Sequence, residues 1–471
     1  MTEVLRTFVF SFDWLVLVFL IAVVVTYGTT TLLAMPTLLR YRRWSGTFHP
    51  DEESGAAATP PITLIAPMYN EEAVCVEAVR AFLNVSYPMK EIIVVDDGSK
   101  DGTLARLTEA FSLVPTTRPQ TAWIETAEVE QAYRSERRPD LWVIRKANGG
   151  RSDAINVGFN HSRCPLVCVL DGDSILAPDG LHRVVRPFLE DATTVAAGGT
   201  IGIVNDCTVR FGRVSEVRMP TSWVARFQVL EYIRAFAASR VGWNAASALP
   251  LISGAFGLFR RQAVVMVGGL DPDTVGEDFE LTMKLHRYHI EHDIPYRIDF
   301  VPDAISWTEC PDSLDVLGRQ RDRWQRGGLE VIRAHRKVLL NPRYGRVGMF
   351  SFPAMWFVEL MAPIVEAIGY VAIALAIWLG LLQSWGALLL LAMALAMGMA
   401  QSVASIALEQ FAFRRYTSLK DVLLLLLLVL LENLGYRQLT VWWRIKGTWK
   451  FFRGDNSWGE MKRTGFTTAP S

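Results

Sequence analysis

Long apolar segments lie near both ends of the chain, and shorter apolar runs separated by polar stretches fill its middle. Residues 14–38 give roughly 25 apolar or small positions, enough to cross a bilayer, and Arg40, Arg42 and Arg43 follow directly. A cleaved signal peptide carries its basic residues before the apolar run, so this order predicts a retained membrane anchor. Positive charge after the span places the next part of the chain in the cytoplasm.

The C-terminal part of the chain predicts three further spans, at residues 349–382, 385–413 and 421–444. The last is interrupted by Glu432, Asn433 and Arg437, and ionisable residues inside a span are expected to face a polar cavity or one another. With the N-terminus outside, four full spans would put the final basic residues outside as well, against the charge rule. A re-entrant final segment is therefore the alternative.

From Ile62 the pattern changes to short apolar runs that alternate with helical patterns. Residues 62–66, 92–95, 141–145 and 165–170 have the length and β-branched content of buried strands. This alternation predicts a parallel α/β sheet. Ligands of such sheets bind beyond the carboxyl ends of the strands, which is where Asp96, Asp97, Asp171 and Asp173 fall.

These patterns divide the chain into five parts. We expect an N-terminal membrane anchor at 1–45, a linker rich in Gly, Ala and Pro at 46–61, a cytosolic α/β domain at 62–345, a transmembrane region at 346–445 and a tail at 446–471. A helix at 221–240 carries apolar residues at helical spacing. It would pack on the core or lie as an amphipathic helix on the membrane surface.

Composition adds three constraints. The 471 residues carry 48 Lys and Arg against 48 Asp and Glu, and this zero net charge gives no electrostatic basis for binding nucleic acid. The apolar content of 51%, concentrated at the two ends, indicates a membrane protein. The five cysteines form no CxxC pair and no cluster with zinc-ligand spacing, so they predict reduced thiols.

The triplet Asp171-Gly172-Asp173 closes the apolar run at 165–170. Its two carboxylates present hard oxygen ligands to Mg²⁺ or Mn²⁺, and Gly172 would let a phosphate approach the backbone. The triplet alone also fits an ordinary acidic turn. Its weight as a metal site therefore depends on the other motifs of the chain.

Two further motifs stand on predicted helices. Gln320, Arg323 and Trp324 occupy positions i, i+3 and i+4, so they share one face. An amide, a guanidinium and an aromatic ring there suit phosphate and sugar, although the same face would also suit packing between helices. Asp278 lies in the first turn of a helix that follows Gly276, where an acidic side chain favours the helix dipole whether or not it is catalytic.

Taken in order, these motifs resemble those of the processive family 2 glycosyltransferases, which include cellulose, chitin, hyaluronan and poly-N-acetylglucosamine synthases. The resemblance extends from about Ile62 to Gly328. It implies a cytosolic α/β nucleotide-sugar-binding domain of the GT-A type, inserted between N- and C-terminal transmembrane helices. It rests on seven motifs: Pro67-Met68-Tyr69-Asn70-Glu71, Asp96-Asp97-Gly98-Ser99, Asn148-Gly149-Gly150-Arg151, Asp171-Gly172-Asp173, Ser253-Gly254-Ala255-Phe256-Gly257, Gly276-Glu277-Asp278 and Gln320-x-x-Arg323-Trp324.

For the donor site, the resemblance implies that Asp97, with Asp96 beside it, holds the uridine of a UDP-sugar. Asp171 and Asp173 would hold Mg²⁺ or Mn²⁺ together with the diphosphate. Asp278 would be the general base that takes the proton from the acceptor hydroxyl.

The resemblance also implies how UDP leaves and where the acceptor binds. The metal, with Arg323 and with Arg151 or Lys146, would stabilise the charge on departing UDP. Gln320 would touch the donor as well. The ring of Trp324 would lie against the acceptor sugar, because aromatic rings suit a flat apolar sugar face.

The implied partners are a growing polysaccharide, which leaves through the enzyme's own membrane helices, and the lipids of a bacterial plasma membrane. Accessory export or regulatory subunits would be further partners. The motif variants favour a poly-N-acetylglucosamine-like or chitin-like product. Two alternatives stay open: a non-processive transferase that modifies a lipid or a protein, and a transporter or scaffold with a degenerate transferase domain, which would require the loss of carboxylates that are all present.

Overall fold

A computed structural model describes residues 2–45, 59–210, 212–378 and 385–454 of the chain. They form two compact units. The sheet unit is made from segments Arg43–Ala225 and Leu249–Cys310, and the helical unit from Met1–Arg42, Arg226–Ala248 and Pro311–Glu460. Most of the predicted linker at 46–61, and the end of the predicted tail, lie outside the described residues.

Twelve strands are present among the described residues, and the core strands form where β-branched apolar runs are fully buried, as at Ile92, Ile93, Val94 and Val95. The strands are β1 (Ile62–Met68), β2 (Lys90–Asp96), β3 (Leu113–Thr116), β4 (Val129–Ser135), β5 (Leu141–Lys146), β6 (Leu166–Leu170), β7 (Ile175–Leu176), β8 (Thr194–Ile203), β9 (Thr208–Arg210), β10 (Arg213–Glu216), β11 (Phe256–Arg260) and β12 (Arg297–Thr308).

Ten strands form one sheet in the order β3-β4-β5-β2-β1-β6-β11-β8-β12-β7, and β9 and β10 form a separate hairpin. The predicted parallel pairing is confirmed for the four central strands β5, β2, β1 and β6. The full sheet is mixed, because β11 runs antiparallel to both of its neighbours and β3 and β4 pair antiparallel at one edge. The antiparallel pairing of β11 joins strands far apart in the chain, whereas β3, β4 and β5 follow one another and pair as neighbours.

Helices connect the strands of the sheet unit, and the helix Arg151–His161 is buried along its whole length. The helix Trp223–Ile233 begins in this unit and ends in the helical one. The helices of the sheet unit are Cys75–Leu83, Thr103–Phe111, Arg151–His161, Gly180–Val184, Arg186–Glu190, Arg261–Met266 and Glu277–Glu291.

The helical unit contains α-helices joined by short π- and 3₁₀-helical turns. Its α-helices are Thr2–Ser45, Arg240–Ala245, Leu314–Ala334, Phe352–Ala354, Ala362–Trp378, Trp385–Ala412, Leu419–Leu431 and Tyr436–Arg453. The π-helical turns are Arg234–Ser239, Val347–Ser351 and Met355–Leu360, and the 3₁₀ turns are Arg336–Val338 and Pro342–Tyr344.

Three helices among the described residues are long and apolar enough to cross a membrane: Trp14–Arg42, Val347–Leu375 and Ala392–Ala412. They correspond to three of the four predicted spans. The fourth, at 421–444, differs from the prediction because it is divided into two helices. Leu419–Leu431 has 13 residues, about 20 Å of helix against a hydrocarbon core of about 30 Å. Gly435, with a φ of 104°, separates it from the next helix.

The predicted cytosolic domain, residues 62–345 with amphipathic interface helices, stays a prediction. The helix Leu314–Ala334 belongs to the helical unit, not to the sheet. It lies directly on the helix Tyr436–Arg453: a Cβ at Gly318 would meet the ring of Trp443 at 2.7 Å, and one at Gly447 would meet the Asp322 carbonyl oxygen at 2.5 Å. The same helix runs to Arg453, so the predicted tail from residue 446 begins inside a helix.

Candidate active site

The candidate site lies at one edge of the sheet, where the parallel strands β1, β2, β5 and β6 have their carboxyl ends. Antiparallel β11 contributes from its beginning instead, because Phe256 pairs with Leu170 at the end of β6. The residues just before β11 therefore reach the edge that the acidic residues after β2 and β6 occupy. Strand direction thus brings Gly254 beside Arg151 and Asp278.

Asp97 is buried and bound by the loop after β5. Its Oδ1 accepts hydrogen bonds from Lys146 Nζ and from the Gly149 amide at 3.0 Å. Its Oδ2 accepts from the Gly150 amide at 2.9 Å and from the Asn148 side chain at 3.2 Å. Burial raises the pKa of Asp97, while these donors act to lower it. The carboxylate thus holds the Asn148-Gly149-Gly150 loop in one conformation.

Lys146 is completely buried, and its ammonium pairs with Asp97 at 2.5 Å and with Asp153 at 2.6 Å. A buried charge needs such partners, since an unpaired ammonium at this position would carry its full desolvation cost. The lysine therefore helps to fix the Asn148-Gly149-Gly150 loop, because it holds the Asp97 carboxylate that the loop amides contact. Its predicted contact with a diphosphate stays a prediction.

Asp96 is also fully buried, at the end of β2. Its Oδ1 accepts from the Ser99 amide at 3.0 Å. Its Oδ2 has no hydrogen-bond partner among the described residues, and its ion-pair partner Arg145 is 3.7 Å away. A buried carboxylate oxygen without a donor is costly in a folded protein unless a ligand satisfies it.

Arg151, the first residue of its helix, joins three parts of the site. Its guanidinium donates to Asp171 Oδ1 at 2.6 and 3.1 Å, to Glu277 Oε1 at 2.5 Å and to the Gly254 carbonyl at 2.9 Å. Burial acts to lower the pKa of Arg151, but Asp171 and Glu277 outweigh it and raise the pKa. The guanidinium therefore stays charged between the predicted metal ligand and the predicted base helix.

Asp278 lies in the first turn of the helix Glu277–Glu291. Its Oδ2 accepts the Gly254 amide at 3.1 Å, and its Oδ1 accepts the Phe279 amide at 2.8 Å. Gly254 thus donates to Asp278 and accepts from Arg151. A continuous set of contacts connects Asp171, Arg151, Gly254 and Asp278.

Asp171 and Asp173 fit a divalent metal of the predicted type. Mg²⁺ is usually held by one or two carboxylates together with substrate phosphates, and these two residues supply that number of carboxylates. In the part of the chain that the structure describes, no group of three or more His, Cys, Asp or Glu could hold a metal ion by itself. The pair therefore suits a metal whose remaining ligands come from a diphosphate.

The structure gives a reason for glycine at position 172 that the sequence did not reveal. A Cβ there would approach the Pro67 carbonyl oxygen to 2.9 Å and the Met68 side chain to 3.2 Å. Contacts below about 3.0 Å force a shift, so the glycine lets β6 end close against β1. The predicted approach of a phosphate to this backbone stays a prediction.

Gln320, Arg323 and Trp324 lie on the helix Leu314–Ala334 of the helical unit. Trp324 is 47% exposed, and the guanidinium of Arg321 lies 4.2 Å from its ring centroid. Arg321 is itself paired with Glu231. The structure thus presents the Trp324 ring at the surface of its own unit, with a charged group against one side.

The sequence assigned no role to three participants in the site, Asp153, Glu277 and the backbone of Gly254, although Glu277 and Gly254 lie within the motifs of the resemblance. Glu277 was visible only as a neighbour of Asp278, and Asp153 as an acidic residue in the first turn of a helix, where such residues are common. Gly254 lies 103 residues from Arg151 in the chain. No local pattern reports a contact at that separation.

Residues 60–327, more than half of the chain, match the family model described as "Glycosyltransferase like family 2". The "Poly-beta-1,6-N-acetyl-D-glucosamine synthase" of Staphylococcus aureus (strain COL) is 28% identical over 272 residues, which is 58% of this chain and 55% of that protein. The protein of the same name from Staphylococcus epidermidis is 26% identical with the same coverage. The chain thus spans about half the length of the curated relatives it matches.

A solved structure supports the fold. The mannosyltransferase PcManGT from Pyrobaculum calidifontis, in complex with GDP-Man and Mn²⁺, matches with a TM-score of 0.52 and 19% sequence identity. The match covers 94% of this chain and 100% of that one. At this identity the similarity shows the fold alone.

Proposed function

Because the chain belongs to the glycosyltransferase-like family 2, we propose that it is a processive, inverting β-glycosyltransferase. It polymerises a UDP-sugar, UDP-N-acetylglucosamine, into an exopolysaccharide and moves the product across the membrane. The observation that carries this proposal is the set of contacts that joins Asp171, Arg151, Gly254 and Asp278 at the strand ends. Similarity to poly-β-1,6-N-acetylglucosamine synthases supports the sugar and a β-1,6 linkage.

The donor base binds at the ends of β1 and β2. Asp96 has a buried carboxylate oxygen without a hydrogen-bond donor, and the N3–H of uracil is a donor that would satisfy it. Asp97 holds the neighbouring loop through four side-chain and backbone donors. In this proposal Asp96 contacts the base, and Asp97 shapes the loop against which the nucleotide lies.

The diphosphate lies over Asp171 and Arg151. Asp171 and Asp173 hold Mg²⁺ or Mn²⁺, which when bound neutralises the diphosphate and makes UDP a better leaving group. Arg151 adds a fixed positive charge beside Asp171. Because Glu277 and Gly254 also hold its guanidinium, Arg151 is preorganised and needs little rearrangement as charge develops on UDP.

Asp278 is the general base of the transfer. Its carboxylate takes the proton of the acceptor hydroxyl while that oxygen forms a bond to the anomeric carbon from the face opposite UDP. The bond from the anomeric carbon to the phosphate oxygen breaks, and its electron pair leaves with UDP. One displacement inverts the configuration, and it needs one base and no covalent nucleophile. The hydrogen bond from Gly254 fixes the orientation of the carboxylate.

The membrane helices supply the route for the product. The sheet unit faces the cytoplasm, where UDP-sugars are available, because the basic cluster after the first span favours that side. The three membrane-crossing helices anchor the enzyme. Gln320, Arg323 and Trp324 contact the donor and the acceptor end of the growing chain.

The test is synthesis by the purified full-length protein in lipid vesicles with a panel of labelled UDP-sugars and Mg²⁺ or Mn²⁺. We expect long polymer from UDP-N-acetylglucosamine, cleaved by a hydrolase specific for β-1,6-linked N-acetylglucosamine, and no polymer from Asp278→Asn. Polymer from another UDP-sugar would overturn the donor assignment. Products that carry a single added sugar on a lipid or protein would refute the synthase proposal and support the non-processive transferase.

A further inference from the structure

The helix that carries Asp278 holds one stretch of main chain through three side chains spaced four residues apart. Asp278, Thr282 and His286 lie on the same helical face. They contact main-chain groups of Gly254, Ile252 and Leu249 respectively. The helix and this segment, Leu249–Gly254, therefore run side by side in opposite directions.

The segment needs these partners because it has no regular secondary structure of its own. It lies between the helix Arg240–Ala245 and strand β11. Leu249 and Ile252 are 1% and 2% exposed, so their backbone polar groups are out of reach of bulk water. Buried backbone groups require hydrogen-bond partners, and here the helix supplies them from its side chains.

Thr282 is fully buried and makes two hydrogen bonds with its hydroxyl. Oγ1 donates to the Asp278 carbonyl at 2.8 Å and accepts from the Ile252 amide at 3.2 Å. Donation to the carbonyl one turn earlier uses the only hydroxyl proton, which leaves a lone pair for the Ile252 amide. Thr282 therefore couples the backbone of the proposed base to the segment that carries Gly254.

His286 contacts the N-terminal end of the segment, at Leu249. Nε2 lies 2.8 Å from the Leu249 carbonyl, and Nδ1 lies 2.8 Å from the Tyr296 hydroxyl. A carbonyl only accepts, so Nε2 carries a proton, and Nδ1 of the neutral ring accepts from the tyrosine. Burial lowers the pKa of His286 to about 4, despite the opposing effect of the Leu249 carbonyl, which agrees with a neutral ring.

We propose that Thr282 and His286 are positioning residues for glycosyl transfer. They hold Leu249–Gly254 along the helix so that the Gly254 amide reaches Asp278 and the Gly254 carbonyl reaches Arg151. One short segment thereby sets both the orientation of the base and the position of the guanidinium beside Asp171. This inference rests on the proposed function, in which Asp278 is the base.

The main test compares Thr282→Val with Thr282→Ser in the full-length enzyme. Valine keeps the shape and removes both hydrogen bonds, whereas serine keeps the hydroxyl. We expect kcat of Thr282→Val to fall by about tenfold to a hundredfold, since small misplacements of catalytic groups have effects of that size. UDP affinity, measured by calorimetry, should stay at the wild-type value, and Thr282→Ser should restore most of kcat.

His286 gives an independent pair of variants. His286→Gln places an amide nitrogen near the position of Nε2 and keeps a donor for the Leu249 carbonyl, whereas His286→Leu has none. We expect kcat to depend on the hydrogen-bond donor to the Leu249 carbonyl. It should be reduced in the leucine variant and close to the wild-type value in the glutamine variant. UDP binding serves in each case as the measure of an intact sheet unit.

A double variant separates positioning from general damage. In an Asp278→Asn background, Thr282→Val should reduce the residual rate by a smaller factor than in the wild-type background, because only the effect through Arg151 remains and residues that act through one group are not additive. A wild-type kcat in Thr282→Val, with Asp278→Asn inactive, would overturn this inference and leave the proposed function standing. If Thr282→Val lowered UDP affinity as much as kcat, Thr282 would have a role in folding alone. The same would follow if the effects of Asp278→Asn and Thr282→Val were fully additive in the double variant. Full activity of Asp278→Asn would instead refute the base assignment on which the inference rests.

Discussion

Asp171 and Asp173 have different surroundings although one residue separates them. The Asp171 side chain is 28% exposed and paired with Arg151, whereas Asp173 is only 6% exposed. Replacing either carboxylate by an amide keeps the volume but removes a charged oxygen ligand. At Asp171 the change also takes one of two carboxylates from Arg151. The two substitutions therefore affect the proposed metal equally but Arg151 unequally.

We predict that Asp171→Asn and Asp173→Asn each lower turnover by at least about 100-fold, because loss of a metal ligand outweighs the 10- to 100-fold cost of losing a supporting contact. UDP binding should become insensitive to Mn²⁺ in calorimetric titrations, while unfolding temperature changes little. Asp315→Asn, at a carboxylate whose side chain is 79% exposed, is the matched control. Full turnover of either site variant with Mg²⁺ or Mn²⁺ present would refute the metal assignment.

His161 predicts a pH dependence of stability. The residue is 3% exposed, and among the described residues neither ring nitrogen has a hydrogen-bond partner. Burial, aided by the charge of Arg118, lowers the pKa of His161 to about 4. The unfolded chain takes up a proton as the pH falls below about 6.5, and the folded chain does so only near 4. The free energy of unfolding should therefore decrease as the pH falls from about 6.5 to about 4.

We predict that His161→Leu reduces this acid destabilisation. Between pH 7 and pH 5 the wild-type protein should lose about 2 kcal/mol more stability than the variant, an order-of-magnitude figure from 1.36 kcal/mol per pH unit. Chemical unfolding of the detergent-solubilised protein at the two pH values measures the difference. Identical losses in the two proteins would show that His161 does not titrate in this way.

At the level of elements, a glycine decides how closely two helices of the helical unit approach. A Cβ at Gly242 would lie 2.2 Å from the carbonyl oxygen of Thr30 and 2.5 Å from its Cα. The obstacle is backbone, which has no rotamer that would relieve the clash. The short helix Arg240–Ala245 and the long helix Thr2–Ser45 therefore pack backbone to backbone at this point.

We predict that Gly242→Ala destabilises the protein by about 1–3 kcal/mol, the usual cost of overpacking. Gly28→Ala is the control within the same pair of helices, because a Cβ at Gly28 meets nothing within 4 Å. That change should be neutral or raise stability by up to about 1 kcal/mol through helix propensity. Thermal unfolding in one detergent distinguishes the two, and equal effects would contradict the close contact.

For the molecule as a whole, the question is whether a polymer stays bound between additions. Trp324 presents an exposed ring in the unit that also contains the membrane-crossing helices. Stacking of a sugar on that ring would hold the growing end after each transfer. In the proposed scheme Trp324 contacts the acceptor, and the aspartates that hold UDP lie in the sheet unit, so the affinity for UDP should not depend on the Trp324 side chain.

We predict that Trp324→Ala makes short products or none while UDP affinity survives. Trp123→Ala is a suitable control, since Trp123 is 56% exposed and also lies against an arginine, Arg261 at 4.6 Å, but in the sheet unit. A pulse of labelled UDP-sugar followed by an unlabelled chase measures chain length and release. Synthesis of long chains by Trp324→Ala would refute the proposal that Trp324 binds the acceptor.

The sequence by itself determined three of the segments that are long and apolar enough to cross a membrane, and it determined where the central strands end. Both follow from local patterns: long apolar runs for Trp14–Arg42 and Val347–Leu375, and β-branched runs closed by acids for β2 and β6. The family motifs added Asp278, whose helix begins as the pattern of acidic and apolar residues predicts.

Only the tertiary structure decided which of those residues contact one another. The buried pairing of Lys146 with Asp97 and Asp153, and the bridge from Arg151 through Gly254 to Asp278, join residues that are far apart in the chain. Antiparallel β11, the division of 421–444 at Gly435 and the place of Leu314–Ala334 in the helical unit follow equally from packing. Such contacts depend on which surfaces the folded chain buries against each other, and a local sequence pattern carries no record of that choice.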